Sequence, residues 1–188
     1  MQRRTMLLGL LAPGVTGALA QGDDTLWPLL QRGGQVVMIR HGLTDPGVGD
    51  PPNFRLGECS TQRNLNEEGR REARRLGEAL RARNVPVAGV LSSPWCRCLD
   101  TARLAFGREA QAHPALSNLF GRHEREAAQV PELRKLVRAP AGGGNLFLVT
   151  HGSTTLALTG VSPSTAEMVV LTPQADGAFR VAGRLAVR

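Results

Sequence analysis

Gln35-Val36-Val37-Met38-Ile39-Arg40-His41-Gly42 is the stretch on which the reading of this chain turns. Four apolar residues in a row, rich in β-branched types, predict a buried strand of a mainly parallel sheet. The strand runs directly into Arg40-His41-Gly42 and then into Asp45-Pro46-Gly47, a turn signal. An arginine and a histidine therefore fall at the carboxyl end of a strand, the edge at which open α/β sheets bind ligands. Near the other end of the chain, Leu146-Phe147-Leu148-Val149-Thr150-His151-Gly152 repeats the pattern.

Between these strands the chain alternates. A loop rich in Gly, Pro and Asn spans residues 44–63, a length that inside a compact domain marks a functional segment. Asn66-Glu67-Glu68 opens a helix with a cap residue and two acids, and Ala73, Leu76, Gly77 and Leu80 keep helical spacing to about Arg83. Val87 to Leu91 reads as a second strand, and Trp95 to Phe106 as a helix stopped by Gly107. A third strand is expected within 112–119, interrupted by Pro114. A helix from Arg122 to Val137 should be kinked or split at Pro131. Met168 to Leu171 and Phe179 to Val187 suggest a closing strand pair around Asp176-Gly177. The sum is an α/β fold, three layers (α/β/α) around a mainly parallel central sheet.

The 188 residues suffice for one domain with a single core. Arg3 and Arg4, the apolar run from Met6 and the small residues of Ala18-Leu19-Ala20 predict a secretory signal over 1–20, cut after Ala20. Pro13, Gly14 and Gly17 break the run, which falls short of the roughly 20 residues a membrane span needs. The expectation is a single domain over 21–188, periplasmic or secreted, with no stable membrane anchor after cleavage. Adjacent arginines before Thr5-Met6-Leu7-Leu8 also suit twin-arginine export.

Removing the leader lowers the net charge of +7 by the two arginines it carries. A basic surface suits nucleic acid, anionic membranes or anionic small substrates. Tyrosine is absent and aromatic residues make up 4% of the chain, which leaves few rings for bases to stack on, so no nucleic-acid partner is expected. Of the three cysteines, Cys59, Cys96 and Cys98, an oxidising compartment predicts one disulfide from Cys59 to Cys96 or Cys98. No phosphate-loop, zinc-helix or nucleophile-elbow motif is present.

The order of Arg40-His41-Gly42, then Ser92-Ser93-Pro94-Trp95-Cys96-Arg97-Cys98-Leu99-Asp100-Thr101-Ala102, then Thr150-His151-Gly152 resembles the histidine phosphatase (phosphoglycerate mutase-like) superfamily. The resemblance covers about Val36 to Leu171. It implies a phosphomonoester hydrolase acting through a phosphohistidine on His41, with an anionic phosphorylated substrate and neither cofactor nor metal. Arg40 and Arg97 would hold the phosphoryl oxygens as bidentate forks that stay charged. His151 would donate to a non-bridging oxygen. Gly42 would let the backbone approach closely, and Thr44 would add a hydroxyl contact. Where such proteins carry an acid for the leaving group, this chain has Asn118; Glu124, Glu126 and Asp45 are the carboxylates left to consider, unless there is none. By analogy with small exported members, the substrate would be a phosphorylated cell-envelope sugar. The competing expectation is a phosphate-binding module of the same fold without efficient turnover.

Overall fold

The computed structural model describes residues 23–138 and 143–187; the expected leader lies outside them. Helix α1 (Asp23–Arg32) precedes strand β1 (Val36–Arg40). There follow α2 (Glu67–Ala82), β2 (Val87–Ser92), α3 (Cys96–Phe106), β3 (Gln111–Ala112), α4 (Glu126–Arg138), β4 (Asn145–Thr150), α5 (Gly152–Thr159), β5 (Met168–Pro173) and β6 (Phe179–Leu185). The strands form one sheet in the order β3-β2-β4-β1-β5-β6. The first four of these run parallel, and β5 and β6 close the other edge antiparallel.

Alternation along β1 explains the layering. Val37 and Ile39 join Leu26, Leu30, Leu76, Leu80, Ala102 and Ala105, from helices α1, α2 and α3. Val36 and Met38 point the other way, to Leu133, Val137 and Leu158 of α4 and α5. All four strand residues are fully buried, each worth about 1.5–3 kcal/mol of burial. A strand covered on both faces needs apolar residues at every position, hence the unbroken run in the sequence. Helix α2 starts as its sequence predicts, with the Asn66 side chain accepting from the Gly69 N–H at 2.9 Å. Gly107 ends α3 in the left-handed conformation, φ 66°.

Two expectations are corrected. The third strand is only Gln111–Ala112; beyond it the chain makes a 3-10 turn at Pro114–Leu116. Pro114 cannot donate to a ladder, and the His113 ring accepts the Ala115 N–H at 3.2 Å, which favours the turn. The later helix is not split at Pro131. A 3-10 turn covers His123–Arg125, and α4 runs unbroken from Glu126 through the proline, losing one backbone hydrogen bond.

The long loop after β1 is tied down at several points. Cys59 is bridged to Cys96 at the start of α3, while Cys98 is free and buried. Beside the bridge, Gln62 accepts the Cys96 N–H at 3.0 Å and donates to the Arg55 carbonyl at 2.9 Å. The bridge closes a sequence separation of 37, worth about 4 kcal/mol on the loop-entropy account. Reduction, or Cys59→Ser, should therefore lower the melting temperature measured by scanning calorimetry. An unchanged temperature would mean that the hydrogen bonds alone hold the loop.

Candidate active site

Because β1 and β4 are neighbours in parallel register, with Arg40 opposite Thr150, the residues that follow them meet at one edge. The His41 N–H donates to the Thr150 carbonyl at 3.0 Å, and the His41 and His151 rings lie 5.3 Å apart, edge to face. The turn before β5 braces this strand end. Arg40 Nη1 donates to the Pro163 carbonyl at 2.9 Å, and the Ala166 N–H is shared between the carbonyls of Arg40 and His41.

His41 Nδ1 lies 2.8 Å from the Gly42 carbonyl, which can only accept. The ring proton is thus fixed on Nδ1 and Nε2 keeps its lone pair. Burial pushes the His41 pKa down to about 3, and the nearby Arg97, Arg40 and Arg63 charges act the same way against the Gly42 bond. His151 is held well below its usual value, first by burial and then by His41 and the same arginines. Its Nε2 meets Ser93 Oγ at 2.8 Å, with the Cys98 thiol 3.5 Å away. The Ser93 oxygen also receives the Trp95 N–H, at 3.4 Å, and its own hydrogen is still available to His151 Nε2, an arrangement that places the ring proton on Nδ1. Cys98 is no nucleophile here: burial pushes its thiol up to about 12.

Both imidazoles are neutral when folded and titrate near 6.5 when unfolded. Below that pH the unfolded chain binds more protons, so stability should fall as pH drops from 6.5 toward 4.5. Urea midpoints across that window test this, and His41→Gln should flatten the slope.

Three guanidinium groups face the histidines. Arg97 is 1% exposed and forms a two-point pair with Asp50, Nη1 to Oδ1 at 2.6 Å and Nη2 to Oδ2 at 3.0 Å. Asp50 also accepts the Trp95 indole N–H at 3.0 Å and the Arg63 backbone N–H at 3.2 Å. Arg97 Nη1 donates in addition to the Arg63 carbonyl at 3.1 Å, and Arg63 Nη1 to the Gly47 carbonyl at 2.7 Å. Arg40, His41, Arg63, Arg97 and His151 line one cavity of about 540 Å³. Six buried side-chain nitrogen or oxygen atoms lack a partner among the described residues. Four of them, the Nε atoms of Arg40, Arg63 and Arg97 and Nδ1 of His151, belong to this cavity's walls. The three guanidinium Nε atoms are donors, as is His151 Nδ1 when Ser93 donates to Nε2, and leaving a buried donor unpaired costs about 1–3 kcal/mol, so the cavity suits an oxygen-rich anion. With neutral imidazoles, three arginines against one aspartate leave two positive charges, matching a phosphoryl dianion.

The four residues expected to do chemistry, Arg40, His41, Arg97 and His151, are brought together; Gly42 and Thr44 are not. A Cβ on Gly42 would lie 2.5 Å from the Gly69 carbonyl, so this glycine lets helix α2 approach. Its N–H donates to Thr101 Oγ1 at 3.1 Å, and Thr101 donates to the Arg97 carbonyl at 2.7 Å, which links the first motif to the second. Thr44 is buried in an isolated bridge with Leu65, away from the cavity. None of the carboxylates considered lines the cavity either. Asp45 is exposed, Glu124 pairs with Arg125, and Glu126 with His123. Asn118 lines it but has its Oδ1 occupied by the Phe120 N–H and Ser153 Oγ.

Sequence reasoning passed over Arg63, Asp50, Ser93 and His123. Only the length of the loop and its cysteine hinted at the first two. Val48, Phe120 and Leu156, all exposed, add an apolar side to the cavity's lining. Among the described residues no group of three or more His, Cys, Asp or Glu is placed to hold a metal ion, and no helix is long and apolar enough to cross a membrane.

Two strand-end histidines over a nest of arginines are matched by a known family. The family model of the histidine phosphatase superfamily (branch 1) covers residues 36–141, and the chain belongs to that superfamily. Among solved structures, an open-reading-frame product of Mycobacterium tuberculosis superposes with a TM-score of 0.61 at 16% identity, over 81% of this chain and 96% of that one. The protein histidine phosphatase SixA, complexed with tungstate, gives 0.59 at 19% identity, over 81% and 96%. A mycobacterial glucosyl-3-phosphoglycerate phosphatase, complexed with VO3, gives 0.56 at 19%, over 78% and 96%. At such identities the likeness is one of fold. A comparison with curated protein sequences returns no match.

Proposed function

We propose that this chain hydrolyses phosphomonoesters by way of a phosphohistidine on His41. The observation that carries the reading is the set of unpaired buried nitrogens on Arg40, Arg63, Arg97 and His151 around an imidazole whose Nε2 lone pair is free. A phosphoryl group seated on Arg40, Arg63, Arg97 and His151 Nδ1 presents phosphorus to His41 Nε2. The charge that spreads over its equatorial oxygens in transfer then meets fixed donors. Water then attacks phosphorus, the nitrogen–phosphorus bond breaks with its pair returning to His41 Nε2, and phosphate leaves. Release of phosphate from p-nitrophenyl phosphate by the chain from Gln21 onward tests this. Binding of orthophosphate without turnover would favour the other reading, a phosphate-binding module, supported by the absence of an Asp or Glu among the described residues that line the cavity.

The leader ending at Ala20 and the Cys59–Cys96 bridge support a single exported domain over 21–188, in the periplasm or outside the cell. The exposed apolar side of the cavity supports a bulky leaving group, for which a phosphorylated envelope sugar is our choice of substrate.

A further inference from the structure

We propose that His123, oriented by Glu126, is the acid that protonates the leaving group; the assignment rests on the hydrolase reading above. Transfer of a phosphoryl group from an alkyl ester expels an alkoxide unless a proton reaches the bridging oxygen. Few groups in the cavity can give one. The arginines keep their protons. His41 must be neutral to attack. His151 Nδ1–H belongs to a neutral imidazole, which donates a hydrogen bond but not a proton. Asn118 is an amide with its oxygen engaged, and Ser153 and Ser162 are hydroxyls.

That leaves His123, which lines the cavity from the 3-10 turn before α4. Its Nδ1 lies 2.8 Å from Glu126 Oε1. The carboxylate accepts the Nδ1–H, so Nε2 is the nitrogen that gives and takes the exchangeable proton. The side chain is 85% exposed and trades protons with water directly. Besides Glu126, the charges around it are Arg122, Glu124 and Arg125 on its own turn, and Arg40, Arg63 and Arg97 across the cavity with the neutral His41 and His151.

The steps balance. His41 Nε2 forms the bond to phosphorus as the phosphorus–oxygen ester bond breaks. The electron pair of that bond goes to the bridging oxygen, which takes the Nε2 proton of His123 and leaves as the alcohol. His123, now neutral, then accepts a proton from water as the water oxygen attacks phosphorus. The nitrogen–phosphorus pair returns to His41 Nε2, and phosphate departs.

The test compares kcat/KM of the chain from Gln21 with that of His123→Gln on two esters of similar shape, phenyl phosphate and p-nitrophenyl phosphate. In a two-step scheme kcat/KM reports events up to phosphorylation of His41, the step that needs the acid. Phenolate leaves poorly without a proton and p-nitrophenolate leaves readily. His123→Gln should lose about 100-fold or more on phenyl phosphate and several-fold on the nitro ester. Glu126→Gln should give a smaller loss of the same pattern. Because the ring is exposed, the melting temperature should not change, and His123→Asn should repeat the result. Equal losses on the two esters, or none on phenyl phosphate, would overturn the assignment while leaving the hydrolase reading intact. A wild-type chain inert to both esters would overturn both.

Discussion

His41→Ala is expected to remove both turnover and the covalent adduct. Rapid quenching of the wild-type chain with a reactive phosphoester should trap an acid-labile, base-stable phosphoryl group on His41. The variant should show none, since the other buried imidazole, His151, has its Nε2 engaged by Ser93. His151→Ala should behave differently. It removes one donor to the developing charge, a loss of about 10²–10³ in rate, so slow adduct formation should survive. Full activity in His41→Ala would rule out the phosphohistidine route.

Asp50→Ala is the substitution expected to cost most stability. Asp50 and Arg97 are 5% and 1% exposed, and removing one partner of a buried pair leaves the other charge uncompensated, at about 3–5 kcal/mol. Four hydrogen bonds end on this one carboxylate, from Arg97 twice, Trp95 and the Arg63 backbone, so the loss reaches the loop as well as the helix. Freed of its anchor, the Arg97 guanidinium shifts, and a displacement of about 1 Å in a phosphoryl-holding group costs on the order of 10² in kcat. Asp50→Asn keeps the shape but not the charge and should fall between. Urea unfolding at pH 7 and kcat on p-nitrophenyl phosphate measure the two effects; a stability change under about 1 kcal/mol would show the pair to be incidental.

What could be read from the residues, and what could not, divides along physical lines. β1 and β4 were legible because burial on both faces writes an unbroken apolar run, and each run points to the histidine that follows it. The second motif located Arg97 because one helix carries it. Asp50 and Arg63 were not legible. Their places depend on where a 20-residue loop folds back, and a disulfide and a buried ion pair fix that with no period in the sequence. The close approach of Gly42 to Gly69 was not legible either, because it depends on how helix α2 packs against the strand end. The short β3 shows a local turn overriding strand propensity. His123 was not legible because nothing in the sequence marks it apart from a surface histidine; its place at the cavity and its contact with Glu126 arise only on folding.

The pairing of β1 with β4 joins segments 110 residues apart, as the Gln35–Asn145 hydrogen bond at its start shows. Contacts so distant in sequence form late, after the entropy of closing the intervening chain has been met. The two histidines therefore have no partial version of their meeting. A half-folded or C-terminally shortened chain keeps its first motif but not the edge on which the second histidine stands. Recovery of phosphate release during refolding should accordingly lag behind recovery of helical signal, so that catalysis serves as a clock for the last event of folding.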